Sequence, residues 1–105
     1  MVNNYSIPEE LEQKIRKRDK FCVYCGIKLK GFYPGKGKDK ATIEHMNNDG
    51  PYDEEWNLAI CCNSCNSSKF NKSLLKWLES DYCKDKNINK ETVANVIKQY
   101  IKYNN

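Results

Sequence analysis

Histidine is nearly missing from this chain: His45 is the single imidazole among 105 residues. Long apolar runs are missing altogether. None approaches the roughly 20 residues that a bilayer-crossing helix needs, so no membrane span is expected. The first ten residues lack both a basic stretch and an apolar core, which argues against a secretory leader, and the expected compartment is cytoplasmic. No internal repeat occurs, and no linker is long enough to separate a pair of domains. What remains is one domain, 1–105, able to bury a modest core but close to the size at which small folds gain from a staple. Apolar residues at 39% and charged ones at 30% suit a globular chain.

The net charge of +4 conceals an asymmetry. Between positions 14 and 40 ten Lys and Arg stand against Asp19 and Asp39, a balance of +8, and the rest of the chain carries −4. A basic block of that density is a candidate footprint for a phosphate backbone, with Lys36, Lys38 and Lys40 as candidate contacts. A solvated, lysine-rich surface is the alternative.

Cysteine is not scarce. Six occur, four of them in two C-x-x-C pairs, Cys22-Val23-Tyr24-Cys25 and Cys62-Asn63-Ser64-Cys65. In a cytosolic chain such pairs point to metal or redox chemistry rather than to a disulfide framework. Two pairs separated by 36 residues suit a tetrahedral thiolate site, each pair gripping one edge of a structural zinc ion. A thioredoxin-like reading is weaker, because that motif occurs singly beside a βαβ pattern. Cys61 is a possible competitor of Cys62 for the metal. Cys83, near the end of a helical pattern, is expected to be a buried small apolar residue.

The pattern predicts a first helix over about 7–20, opened by a capping box (Ser6 to Glu9, with Pro8 in the first turn) and carrying Leu11 and Ile15 on one face. Residues 28–40, with their glycines and five lysines, suggest a loop or irregular hairpin. A strand is expected over Ala41 to His45, a turn at Asp49-Gly50-Pro51, and a second strand over Trp56 to Cys61. A helix should follow from about Asn63 to Cys65. Further helices are expected over about 72–103, the last with Asn89 as N-cap, Ile88 and Val93 as a staple, and Val93, Val96, Ile97, Tyr100 and Ile101 as its apolar stripe.

Taken together, Cys22-Val-Tyr-Cys25-Gly26, then Glu44-His45, then Asn57-Leu58, then Cys62-Asn-Ser-Cys65-Asn66-Ser-Ser-Lys69 resembles the HNH endonuclease family, of the zinc-containing ββα-metal type. The resemblance covers a motif core of 22–69. It implies an α+β fold, in which a small ββα-metal core with a four-cysteine zinc site is flanked by the N-terminal and C-terminal helices. It further implies a metal-dependent enzyme that hydrolyses DNA phosphodiesters and leaves a 5′-phosphate and a 3′-hydroxyl. By the same resemblance Glu44 and Asn66 hold a catalytic Mg²⁺ or Mn²⁺, His45 is the general base, and Asn57 positions the His-bearing loop. Cys22, Cys25, Cys62 and Cys65 hold the structural zinc. Lys69 is either a phosphate contact or a solvated helix residue.

The chemistry is consistent on its own terms. Phosphodiester hydrolysis needs an activated water and neutralisation of charge on the phosphoryl and leaving oxygens. A hard cation on protein oxygens can supply the second, and an imidazole of ordinary pKa about 6.5 can take a proton near neutrality. Neighbouring strand residues face opposite sides, so Glu44 and His45 can share one site only if the strand ends at that pair. The chain departs from the common pattern in three places. Glu44 stands where Asp is frequent, Asn66 where His is common, and the proline and paired glycines that often follow the histidine are replaced by Met46 to Trp56, whose Asp49, Asp53, Glu54 and Glu55 form an acidic cluster. Two rivals stay open: a non-catalytic zinc module that binds nucleic acid through the basic block, and a zinc-stapled protein-interaction domain.

Overall fold

A computed structural model describes residues 7–32 and 40–103. The elements run α1 (Glu9–Arg18), β1 (Lys30–Phe32), β2 (Lys40–Glu44), a 3₁₀ turn (Glu55–Asn57), β3 (Ala59–Cys62), α2 (Asn63–Lys69), α3 (Leu74–Leu78), α4 (Asp81–Asp85) and α5 (Asn95–Tyr103). The fold is α+β. A three-stranded sheet has the order β1-β2-β3, with β1 parallel to β2 across a register shift and β2 antiparallel to β3. Among the described residues no helix is long and apolar enough to cross a membrane.

Register divides the sheet into two faces. Ala41 pairs with Cys62 and Ile43 with Ile60, while Thr42 pairs with Cys61 and Glu44 with Ala59. Side chains alternate along a strand, so Ala41, Ile43 and Ile60 share one face. There they meet Ile7, Leu11, Ile15 and Leu58 in a small core roofed by α1. On the other face Ala59 and Cys61 join a larger core with Tyr24, Met46, Leu74, Trp77, Ile88, Val93 and Ile97.

Two polar clamps fasten α1 to the sheet. Arg18 makes paired 2.8 Å bonds to the Asp19 carboxylate and donates to the Leu58 carbonyl at 2.7 Å. Asp19 in turn accepts from the Ile60 backbone amide at 3.0 Å. Arg16 pairs with the buried Glu12 at 2.7 Å, and Lys14 reaches Glu55 at 2.9 Å. Three members of the basic block therefore act within the protein.

The expected helices and two strands occur, but residues 30–32, read as part of a loop or irregular hairpin, form β1, and its parallel pairing with β2 rules out a hairpin. Boundaries also shift. The first helix is Glu9–Arg18 rather than about 7–20, with Pro8 at its N-cap; Ser6 lies outside the described residues. The second strand begins at Ala59, because Trp56 and Asn57 belong to the 3₁₀ turn. Asn89 caps a turn rather than the last helix: its Oδ1 accepts from the amides of Glu91 and Thr92, but α5 starts at Asn95. Ile88 and Val93 are both buried, but both precede α5, so they are core residues and not the staple of that helix.

Candidate functional site

The two cysteine pairs converge. Residues 20–29 fold back on themselves, with the Cys22 amide donating to the Ile27 carbonyl at 2.8 Å and Leu29 to Lys20 at 3.2 Å. Gly26 closes this knuckle at φ +80°, a conformation that side chains with a Cβ resist. The Tyr24 and Cys25 amides point at the Cys22 sulfur (3.4 and 3.5 Å), and the Cys65 amide points at the Cys62 sulfur (3.4 Å). The second pair is set by the junction of β3 with α2, where Cys62 is the N-cap.

The sulfurs of Cys22, Cys25, Cys62 and Cys65 all lie within 4.8 Å of one another, and Cys25 to Cys62 is 3.7 Å. Zinc–sulfur bonds of about 2.3 Å place tetrahedral ligands about 3.8 Å apart, so the four cysteines lie close enough to bind a metal ion such as zinc. Hydrogen bonds from the Cys62 and Cys65 thiols drive Cys22 down to about 2, and the same bonds push those two thiols up. A cation bound among the four would favour deprotonation of these thiols. Cys61 stands apart on β3, fully buried with its sulfur 3.6 Å from the Thr42 hydroxyl, and Cys83 is equally buried. Among the described residues, no second group of three or more His, Cys, Asp and Glu converges in this way.

Next to this cluster, a cleft of about 270 Å³ is lined by Ile43, Glu44, His45, Asn48, Tyr52, Asn66 and Phe70. Strand β2 ends at Glu44, which lets Glu44 and His45 enter the same space. Three of the four residues expected to form a site are thus together, delivered by the end of β2 and the first turns of α2. The fourth, Asn57, sits behind them.

Asn57 is fully buried and uses its whole amide on the loop that follows His45. Its Nδ2 donates to the Asn47 and Pro51 carbonyls at 3.1 and 2.8 Å, and its Oδ1 accepts from the Asn47 amide at 2.7 Å. Loss of the amide would orphan buried backbone groups, at about 1–3 kcal/mol each. Asn66 donates through Nδ2 to the Thr42 hydroxyl (2.9 Å) and the Ile43 carbonyl (3.2 Å), so its Oδ1 is the atom with oxygen chemistry to offer a cation.

His45 lies 3.0 Å through Nε2 from the Tyr52 carbonyl and packs edge-on against the Tyr52 ring. A carbonyl only accepts, so Nε2 is the donor and Nδ1 carries the lone pair of the neutral ring. Burial, and then the positive charge of Lys69, hold the imidazole below its ordinary pKa, which its bond to the Tyr52 carbonyl partly opposes. At neutral pH His45 is a neutral base.

Glu44 is 4% exposed, and its Oε2 accepts from the Tyr24 hydroxyl and meets the Lys69 ammonium at 3.3 Å. Desolvation raises its pKa, with Lys69 and then Tyr24 pulling the other way. The sequence expectation for Lys69 needs correction. Its ammonium is fully buried and directed at Glu44, the His45 carbonyl (3.3 Å) and Asn48 Oδ1 (3.2 Å), so it is neither on the solvated face of a helix nor placed to meet a phosphate. The acidic cluster is also remote in its contacts: Asp49, Asp53, Glu54 and Glu55 are exposed, and none lines the cleft. Of the lysines expected to meet nucleic acid, Lys40 opens β2 half-buried, and Lys36 and Lys38 lie outside the described residues.

Two tyrosines escaped the motif-level reading. Tyr24 is a spacer in its C-x-x-C, yet it is buried, packs edge-on against Trp77 at 4.8 Å and bonds Glu44. Tyr52 contributes a backbone carbonyl, for which residue type leaves no signal. Compared with family models, with curated proteins and with solved structures, the chain matches none.

Proposed function

We propose that this protein is a metal-dependent DNA endonuclease of the HNH type, with β2, β3 and α2 as its ββα-metal core and a zinc ion held by Cys22, Cys25, Cys62 and Cys65. The observation that carries the reading is the shared cleft of Glu44, His45 and Asn66, with Asn57 locking the loop behind the imidazole. Glu44 and Asn66 offer the oxygens that a hard cation prefers. Bound there, Mg²⁺ or Mn²⁺ would supply charge neutralisation at the phosphoryl and leaving oxygens. His45 takes the proton of the attacking water at Nδ1, its tautomer set by the Tyr52 carbonyl. Because burial lowers its pKa, the imidazole is ready as a base throughout the neutral range. Cleavage leaves a 5′-phosphate and a 3′-hydroxyl.

One observation favours the second reading, a zinc module that binds nucleic acid without cutting it. Lys69 already neutralises Glu44. A divalent cation would have to share that carboxylate with a buried ammonium.

Plasmid nicking in Mg²⁺ or Mn²⁺ separates the two. The parent protein should nick DNA, and His45→Ala should lose at least about 10²-fold in rate, the lower end of what a general base supplies. Zinc content and thermal unfolding should stay near parental values. A folded, zinc-loaded His45→Ala protein that cuts at the parental rate would defeat the assignment.

A further inference from the structure

Four described residues have positive φ: Gly26, Gly50, Asn87 and Phe70. The first three are residue types that tolerate it. Phe70, at φ 48° and ψ −117°, is not, since that region belongs to glycine at the first central position of a tight turn. Strain of this kind is ordinarily offset by burial of the ring. Here the residue is 73% exposed, the most exposed large apolar one among the described residues. Phe70 therefore carries a backbone cost and a hydration cost together, with little burial in return.

Its position suggests what it is for. Phe70 lines the cleft that contains Glu44, His45 and Asn66, and Tyr52, 43% exposed, lines the same cleft with its ring tied down by a 2.9 Å bond from its hydroxyl to the Asn48 carbonyl. Two residues on, Lys72 is exposed, and its backbone carbonyl accepts from Asn48 at 3.0 Å, so the turn after α2 is moored to the cleft loop. The exposed flat ring of Phe70 on the cleft rim, with the Lys72 ammonium held on the Ser68 carbonyl at 3.2 Å in the same turn, matches a nucleotide, which presents a flat base and an anionic phosphate.

We propose that Phe70 is a stacking platform for a nucleobase displaced from the helical stack beside the phosphate in the cleft, so that the protein prefers single-stranded or distorted DNA to intact duplex. The inference rests on the nuclease reading for the identity of the polymer. Stacking on an aromatic side chain tolerates any base, because every base has a π face, and its loss typically weakens binding about 5- to 100-fold.

The test uses zinc-loaded protein without added Mg²⁺ or Mn²⁺, and a DNA oligonucleotide carrying 2-aminopurine, single-stranded or annealed to its complement. The parent should bind the single strand more tightly and change the 2-aminopurine emission. Phe70→Gly should weaken single-strand binding about 5- to 100-fold while unfolding at the parental temperature or above it, because glycine accepts this φ. Phe70→Trp should keep the single-strand affinity. Tighter duplex binding by the parent, unchanged single-strand affinity in Phe70→Gly, or a fall in its unfolding temperature would overturn the proposal. If the stacking loss appears but the parent never cuts DNA, the nuclease reading fails and Phe70 keeps its role. If the parent cuts and Phe70→Gly binds and discriminates as the parent does, the reverse holds.

Discussion

Lys69 ends its side chain at three oxygens and touches no solvent. Removing one partner of a buried ion pair leaves the other charge uncompensated, which typically costs about 3–5 kcal/mol. For Lys69→Met that cost should depend on pH. Glu44 already sits above its ordinary value of 4.5, and loss of the ammonium removes the largest influence holding it down. A carboxyl whose folded pKa is raised keeps its full share of stability below the unfolded value, where both states are protonated, and loses it as pH rises through the folded pKa. Denaturant unfolding should therefore show a small deficit for Lys69→Met near pH 4.5 and a deficit of about 3–5 kcal/mol well above the folded pKa. A deficit that is the same at both ends would mean Lys69 stabilises by packing alone. The same residue shows where sequence reasoning stops. Its helical spacing from Asn66 was visible, but whether a lysine stem runs outward or inward depends on a buried acceptor, and Glu44 becomes one only when the sheet and α2 close over it.

The elements depend on the two cysteine knuckles more than on their own lengths. Helices α3 and α4 have five residues each and β1 has three, too short to be stable alone. The first knuckle is stitched to β3 by the Val23 amide on the Ile60 carbonyl (3.3 Å) and to the start of α5 by the Ala94 amide on the Val23 carbonyl (2.8 Å). The second is bonded from α4, where the Tyr82 hydroxyl reaches the Cys65 sulfur at 3.3 Å. A zinc ion at the cluster would thus join β3, α2, α4 and α5 at one point. Structural zinc contributes about 10–16 kcal/mol of apparent binding energy, comparable with the ~5–15 kcal/mol of a whole domain. Elemental analysis should find one zinc per chain. Cys25→Ser should lose it along with cooperative unfolding, while Cys61→Ser and Cys83→Ser should keep it. Zinc-free protein that is fully folded would contradict this. Here the sequence was most informative, because a two-residue spacing within each pair is itself the local geometry of the ligands. The choice of Cys62 over Cys61 followed from that spacing. Strand edges were less legible: alternation from Trp56 to Cys61 resembles a strand, but Asn57 turns its amide back onto Asn47 and Pro51, and that demand bends 55–57 into a 3₁₀ turn.

At the scale of the whole molecule, charge matters more than fold. The block from 14 to 40 holds +8 on a chain of net +4, yet its opening stretch acts internally through Lys14–Glu55, Arg16–Glu12 and Arg18–Asp19. Contact with a phosphate backbone should then draw most on its later stretch, where Lys36, Lys38 and Lys40 follow one another closely in sequence. Each phosphate neutralised on duplex DNA adds about 0.9 to the slope of log affinity against log salt. Replacing the three lysines together by Ala should weaken binding to unrelated duplexes about equally, and should flatten that slope by up to about three units if all three are engaged. Lys14→Ala should move the slope less, because its ammonium is already paired with Glu55 at 2.9 Å. Filter binding across a salt series gives both numbers. Equal slopes for the parent and the triple variant would make the later stretch a solvated surface. Any hold on DNA would then fall to the cleft rim and to the block's other exposed lysines, Lys17, Lys20, Lys28 and Lys30.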